Sequence, residues 1–318
     1  TWEPGTRIVL KANPNFFADE PYFNRIEMLV IPESSNRLAM LSTGDVDIAF
    51  ALSAAELSRA EKARGVKVLS IPDRQKLNVG LNVRAGGAFE NVKLRQALAY
   101  AVPYDDIVYG VLKDRAAKSA GPMSVNSRFF DLYNLGDNPS YYTDLDKAKE
   151  LLAEAGHGDG FAFELITAKG VPHVEQAAAS LKASFAKIGV DMTITPVSQA
   201  TMGEKNGQGT YDAFMRDWLT DYVDDPYYHF FLWWGTGVVI NWTGYSNTQV
   251  DDWYQSTAAI VDDGERREPY RKAIRQLIKD SPMLWLADGD YTLAVREDIG
   301  GITLHPDTLL YFRPLNRM

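Results

Sequence analysis

The chain has 318 residues, of which 46% are hydrophobic and 24% charged; its formal net charge is −9 and it contains no cysteine. That length supports a large core and two lobes or domains, with a composition ordinary for a soluble globular protein. The acidic balance excludes a nucleic-acid surface, which needs a basic patch; the missing cysteines exclude disulfides, thiolate metal sites and a Cys nucleophile; and the most apolar run, Phe230 to Trp242, is too short to span a membrane and is broken by Gly235, Gly237 and Asn241.

Along the chain, Arg7 to Lys11 alternates as a strand, and Ile26, Met28 and Val30 alternate in the next. Ser34 or Ser35 is a suitable N-cap for a short helix running to Gly44, a natural terminating glycine. Val46 to Phe50 is a further strand, so this part reads as a strand-helix-strand unit of an α/β lobe. Ala54 to Ala63 is predicted helical, with strands over Val66 to Ile71 and Leu77 to Val83. Leu94, Ala97, Leu98, Ala101 and Val102 share one helical face, and Pro103 stops that helix. Lys118 to Tyr142, rich in Gly, Pro, Ser and Asn, is a long loop of the kind that is often functional. Ala148 to Ala155 and Ala177 to Ile188 carry further apolar stripes, each ended by a glycine and followed by a strand: Phe161 to Thr167, then Met192 to Val197. Two more helices are marked by Val250 to Thr257 and Tyr270 to Ile278, and Met283 to Val295 reads as one or two strands. These stripes are core faces rather than binding surfaces.

The segment from Tyr211 to Pro226 stands apart. An apolar, strand-like approach ends in Trp218, an acidic residue, Asp221, follows three positions later, and then comes the Asp225-Pro226 break. One flat aromatic face and one carboxylate at the mouth of a cleft suit a ligand with an amino group and an apolar body. The segment contains no nucleophile, no general-base pair and no metal-ligand spacing. Elsewhere there is no phosphate-binding glycine loop, no nucleophile elbow and no HExxH, and the four histidines have no partners at ligand spacing. No metal or cofactor is therefore expected. His229 is read as a packed or surface side chain. Asn241-Trp242-Thr243 matches a glycosylation sequon, a pattern short enough to arise by chance.

Several stretches carry a family resemblance by their order and spacing: Leu41-Ser42-Thr43-Gly44-Asp45-Val46-Asp47-Ile48, Gly80-Leu81-Asn82-Val83, Phe89-Glu90-Asn91-Val92-Lys93-Leu94-Arg95-Gln96-Ala97-Leu98, Lys147-Ala148-Lys149-Glu150-Leu151-Leu152, Phe185-Ala186-Lys187-Ile188-Gly189-Val190 and Gly244-Tyr245-Ser246-Asn247. Together they resemble the peptide-binding class (the dipeptide, oligopeptide and nickel group, family 5) of extracytoplasmic solute-binding proteins of ABC importers. The resemblance implies an α/β, two-lobed periplasmic-binding-protein-like fold of type II with a cleft and hinge between lobes. It places residues 1–80 and 291–318 in lobe I and 81–290 in lobe II, with crossings near Asn78–Asn82 and Ala287–Tyr291. Family members are longer at the N-terminus, so the chain is expected to lack the signal peptide and the first part of lobe I.

The resemblance also implies roles. Asp221 aligns with the acid that meets a peptide's α-ammonium; the alternative is a solvated or capping carboxylate among Asp217, Asp224 and Asp225. Trp218 would stack on the ligand or else pack in the core. Tyr222, Trp233, Trp234 and Tyr245 are further aromatic candidates. Lys169, or else Arg216, would take the ligand's carboxylate, Lys as a point charge rather than a fork. One departure is Ser198-Gln199, where some dipeptide binders carry a pocket Trp. The expected function is capture of a peptide or similar small amphiphilic ligand by hinge closure and delivery to an ABC import permease, by a monomer with no nucleic-acid partner, in a periplasmic or cell-surface location. The competing readings are an oligosaccharide or other non-peptide binder of the same fold, and an acidic-pair hydrolase. Carboxylates clustered on one loop rarely flank a scissile bond from both sides.

Overall fold

The computed structural model of the chain describes residues 1–133, 140–217, 223–305 and 310–318. The chain divides into two compact units, one of residues 1–73 with 290–318 and the other of residues 74–289.

The first unit opens with β1 (Trp2–Glu3), β2 (Arg7–Lys11) and β3 (Arg25–Leu29), an antiparallel sheet with Ile8 opposite Met28 and Leu10 opposite Ile26. None of the residues in these strands is buried, and Leu10 and Leu29 stay exposed. Next comes α1 (Ser34–Thr43). Its N-cap is Glu33 rather than the predicted Ser34 or Ser35, because the Ser34 hydroxyl serves the Glu56 carboxylate instead. The helix ends as expected at Gly44, whose φ of 86° is left-handed and free of strain only for glycine. After β4 (Ile48–Phe50), the helix α2 (Ala54–Ala60) starts with a capping box: Ser53 Oγ accepts from Glu56 N, and Glu56 Oε2 accepts from Ser53 N. The unit's small core gathers Leu41, Ala49, Leu52, Leu57, Ala60, Val66 and Ala294.

β5 is one 16-residue strand (Val66–Leu81) where two were predicted. Pro72 does not end it, since this proline is exposed and the sheet tolerates a missing donor there. The chain enters the second unit within β5, between residues 73 and 74. It continues through α3 (Val92–Ala101) and a π-helical turn, Asp106–Val111, to β6 (Ala116–Lys118) and the short α4 (Phe130–Tyr133). The π turn and α4 are not predicted: their apolar residues do not repeat at the 3.6 period. Then follow α5 (Leu145–Glu154), β7 (Phe161–Ala168), α6 (Pro172–Ala186), β8 (Val190–Val197), α7 (Gln199–Gln208), β9 (Ala213–Arg216), α8 (Pro226–Trp234), α9 (Thr248–Gln255) and α10 (Asp263–Asp280). β10 (Met283–Arg296) leaves the second unit between 289 and 290, and β11 (Ile299–Gly300) pairs with β12 (Asn316–Arg317).

In the second unit the sheet order is β10-β5-β9-β7-β8, with β6 against β10. β7 is parallel to both β8 and β9, whereas β5 is antiparallel to β9. Helices cover both faces, so β7 and β9 are mostly apolar, whereas β8 at the sheet edge alternates buried and exposed residues. Alternate residues supply two cores. Leu165, Ala213, Met215, Leu284 and Leu286 join α3, α5 and α6, while Ile166, Phe214, Met283 and Trp285 join α8, α9 and α10.

Candidate functional site

Three parallel strands of the second unit, β7, β8 and β9, end at one edge, where their registers pair Ala168 with Val197 and Thr167 with Met215. In open α/β sheets this carboxyl-terminal edge is where ligands sit, because the chain turns away and leaves a crevice. Lys169 follows β7 directly, exposed, its N–H donating to the Val197 carbonyl at 3.0 Å. Arg216 closes β9, and its guanidinium carbon lies 4.7 Å from the centroid of the Trp242 ring. The strand pairings thus bring Lys169 and Arg216 to one edge. Trp218, Asp221 and Tyr222 lie outside the described residues.

On either side of residues 218–222, carboxylates are held by the protein. Asp217 Oδ2 lies 3.0 Å from His173 Nε2, in the first turn of α6. Burial opposes the charge on Asp217, yet the His173 hydrogen bond and charge hold this carboxyl below the usual range. Asp224 accepts from Ser127 Oγ at 2.6 Å and from Arg128 N at 3.1 Å. Asp225 caps α8 by accepting from Tyr227 N at 2.8 Å, and it also takes Arg266 Nη2 at 2.6 Å. None of these pairings is local in sequence except the cap, so no spacing rule could have found them.

The other aromatic candidates are core side chains of this unit. Trp233 is 7% exposed and meets Trp242 edge-on at 6.3 Å. Trp234 packs against Tyr245 and Trp285. Tyr245 donates its hydroxyl to Asp280 Oδ2 at 2.6 Å, and burial together with that carboxylate raises its pKa well above the ordinary tyrosine value. His229 is packed too, its Nε2 accepting from Trp234 Nε1 at 3.1 Å. Asn241 of the sequon is buried, its amide donating to the Gly235 and Tyr245 carbonyls, so it offers no acceptor for a glycan. Among the described residues no three His, Cys, Asp or Glu side chains group as a metal site, and no helix is long and apolar enough to cross a membrane.

The family described as bacterial extracellular solute-binding proteins, family 5 Middle, matches residues 1–238. The probable D,D-dipeptide-binding periplasmic protein DdpA of Escherichia coli (strain K12) is 26% identical over 96% of this chain and 58% of its own length. The oligopeptide-binding protein AppA of Bacillus subtilis (strain 168) is 27% identical over 98% of this chain and 59% of its own. The ABC transporter-associated periplasmic binding protein DppA from Helicobacter pylori, solved in complex with peptide STSA, superposes with a TM-score of 0.91 at 24% identity, over 100% of this chain and 61% of that one. The chain belongs to family 5 of the bacterial extracellular solute-binding proteins and has the mixed α/β fold of two-lobed periplasmic binding proteins. It spans just under three-fifths of the length of these two relatives.

Proposed function

We propose that the protein carrying this chain is an extracytoplasmic solute-binding protein. It captures a peptide by hinge closure, a shift between open and closed populations, and delivers it to an ABC import permease. The observation that carries this reading is the family match over residues 1–238, joined by relatives whose names specify dipeptides and oligopeptides. The site is the carboxyl-terminal edge of β7, β8 and β9. Asp221 binds the ligand's ammonium, Trp218 stacks on its body, and Lys169 or Arg216 takes its carboxylate. Tyr222 adds aromatic surface. The protein acts as a monomeric binder rather than an enzyme, in the periplasm or at the cell surface. The pairings of Asp217, Asp224 and Asp225 support the binder over a hydrolase, because each of these carboxylates already has a partner in the protein.

The test is native mass spectrometry of the intact protein with a library of free-amino di- to pentapeptides and its N-acetylated counterpart. Retention of free-amino members only, with binding lost in Asp221→Ala, is expected; truncating one partner of a desolvated charge pair costs about 2–5 kcal/mol. Equal retention of acetylated peptides, or unchanged affinity of the variant by calorimetry, removes Asp221 from the site. Retention of no peptide removes the peptide reading.

A further inference from the structure

The first turn of α6 has no side-chain cap of its own, although Val174 in it is buried in the core. Its N-cap is Val171, which has no side-chain oxygen to give, and Pro172 holds the first helical position. Gly170 N donates to Glu175 Oε1 at 3.0 Å, which ties the entering loop to the helix but not to the sheet. A tie from this turn to another element comes from His173, whose Nε2 reaches Asp217 Oδ2. Asp217 is the residue that follows β9. The pair therefore joins the end of β9, where Arg216 sits, to the turn that Lys169 enters. Both side chains are mostly covered, with His173 25% and Asp217 36% exposed.

We propose that His173 is a positioning residue for ligand binding. By occupying Asp217 it sets the distance between the β9 exit and the α6 entrance, and so the placing of the two cations proposed for the ligand's carboxylate. The inference rests on the peptide-binding reading and deepens it.

The experiment uses the intact protein and the peptide that the wild type retains from the free-amino library. His173→Ala and Asp217→Asn are each expected to weaken its binding by about tenfold, with the double variant no weaker than either single one, as for residues that act through one contact. His173→Arg, which puts an N–H donor back opposite Asp217, is expected to recover most of the affinity. Thermal midpoints are read alongside. A drop in midpoint with affinity kept within twofold means a structural pair and overturns the proposal, as does an additive double variant. Should Asp217→Asn fail to fold, the comparison of His173→Ala with His173→Arg decides by itself: equal affinities overturn the proposal. If the wild type retains no peptide, the functional reading fails instead, and the two failures are thereby told apart.

Discussion

Lys76 on β5 and Asp288 on β10 form an ion pair that is sealed from solvent, their side chains 1% and 0% exposed. Lys76 Nζ also donates to Ser119 Oγ at 2.6 Å and to the Met123 carbonyl at 3.2 Å, and the second Asp288 oxygen accepts from Val125 N at 3.2 Å. One charge pair thus pins the loop after β6 to two central strands. The same loop continues to Ser127 and Arg128, the partners of Asp224.

Removing one member leaves a buried charge without its counterion. Lys76→Met is expected to lower stability by about 3–5 kcal/mol in guanidinium unfolding, whereas the joint replacement Lys76→Met with Asp288→Leu recovers much of that loss. A single-variant loss below about 1 kcal/mol would show that the pair contributes little.

Gly80 sits directly opposite Phe214 in the β5–β9 ladder, and a Cβ at this position would run into the phenyl ring. The conflict involves a buried ring with packed neighbours, so Gly80→Ala is expected to lower stability by about 1–3 kcal/mol. In a Phe214→Leu background the same substitution should cost less. Equal costs in both backgrounds would mean that the ring is not the obstacle.

Glu56 offers a pH test in the first unit. Burial pushes its carboxyl up, but the hydrogen bonds from Ser34 and Ser53 prevail and leave it below the usual glutamate range. A carboxyl depressed in the folded state contributes stability that is present above its unfolded value, about 4.3, and is lost as pH falls through the folded one. Glu56→Gln should therefore be less stable than the wild type at pH 7, and the gap should narrow on acidification to pH 3. A gap that stays constant between these two pH values refutes the assignment.

Lys169 and Arg216 are separated by comparing the retained peptide with its C-terminal amide. The wild type should prefer the free acid. The substitution, Lys169→Ala or Arg216→Gln, that brings the acid-to-amide affinity ratio toward one marks the carboxylate's partner, with about 2–5 kcal/mol at stake if the pair is desolvated. A ratio untouched by both substitutions excludes both residues.

Much of this chain was readable from its residues alone, because the deciding forces are local. Apolar stripes at helical spacing located α3, α5, α6, α9 and α10, and glycines with no side chain to strain ended α1, α5 and α6 at Gly44, Gly156 and Gly189. The family, too, rests on ordered local motifs. Where tertiary structure decided, a local signal was overridden or missing. Ser34 lost its capping role to Glu56 on another helix, and two predicted strands fused into β5. Trp233 and Tyr245, aromatic candidates by type, were drawn into the core by the packing of α8 and α10. The partners of Asp217 and Asp224 lie 44 and 97 positions away in sequence. Such pairs come from the register of strands and the docking of helices, free-energy terms that act between distant residues and leave no spacing in the sequence to read.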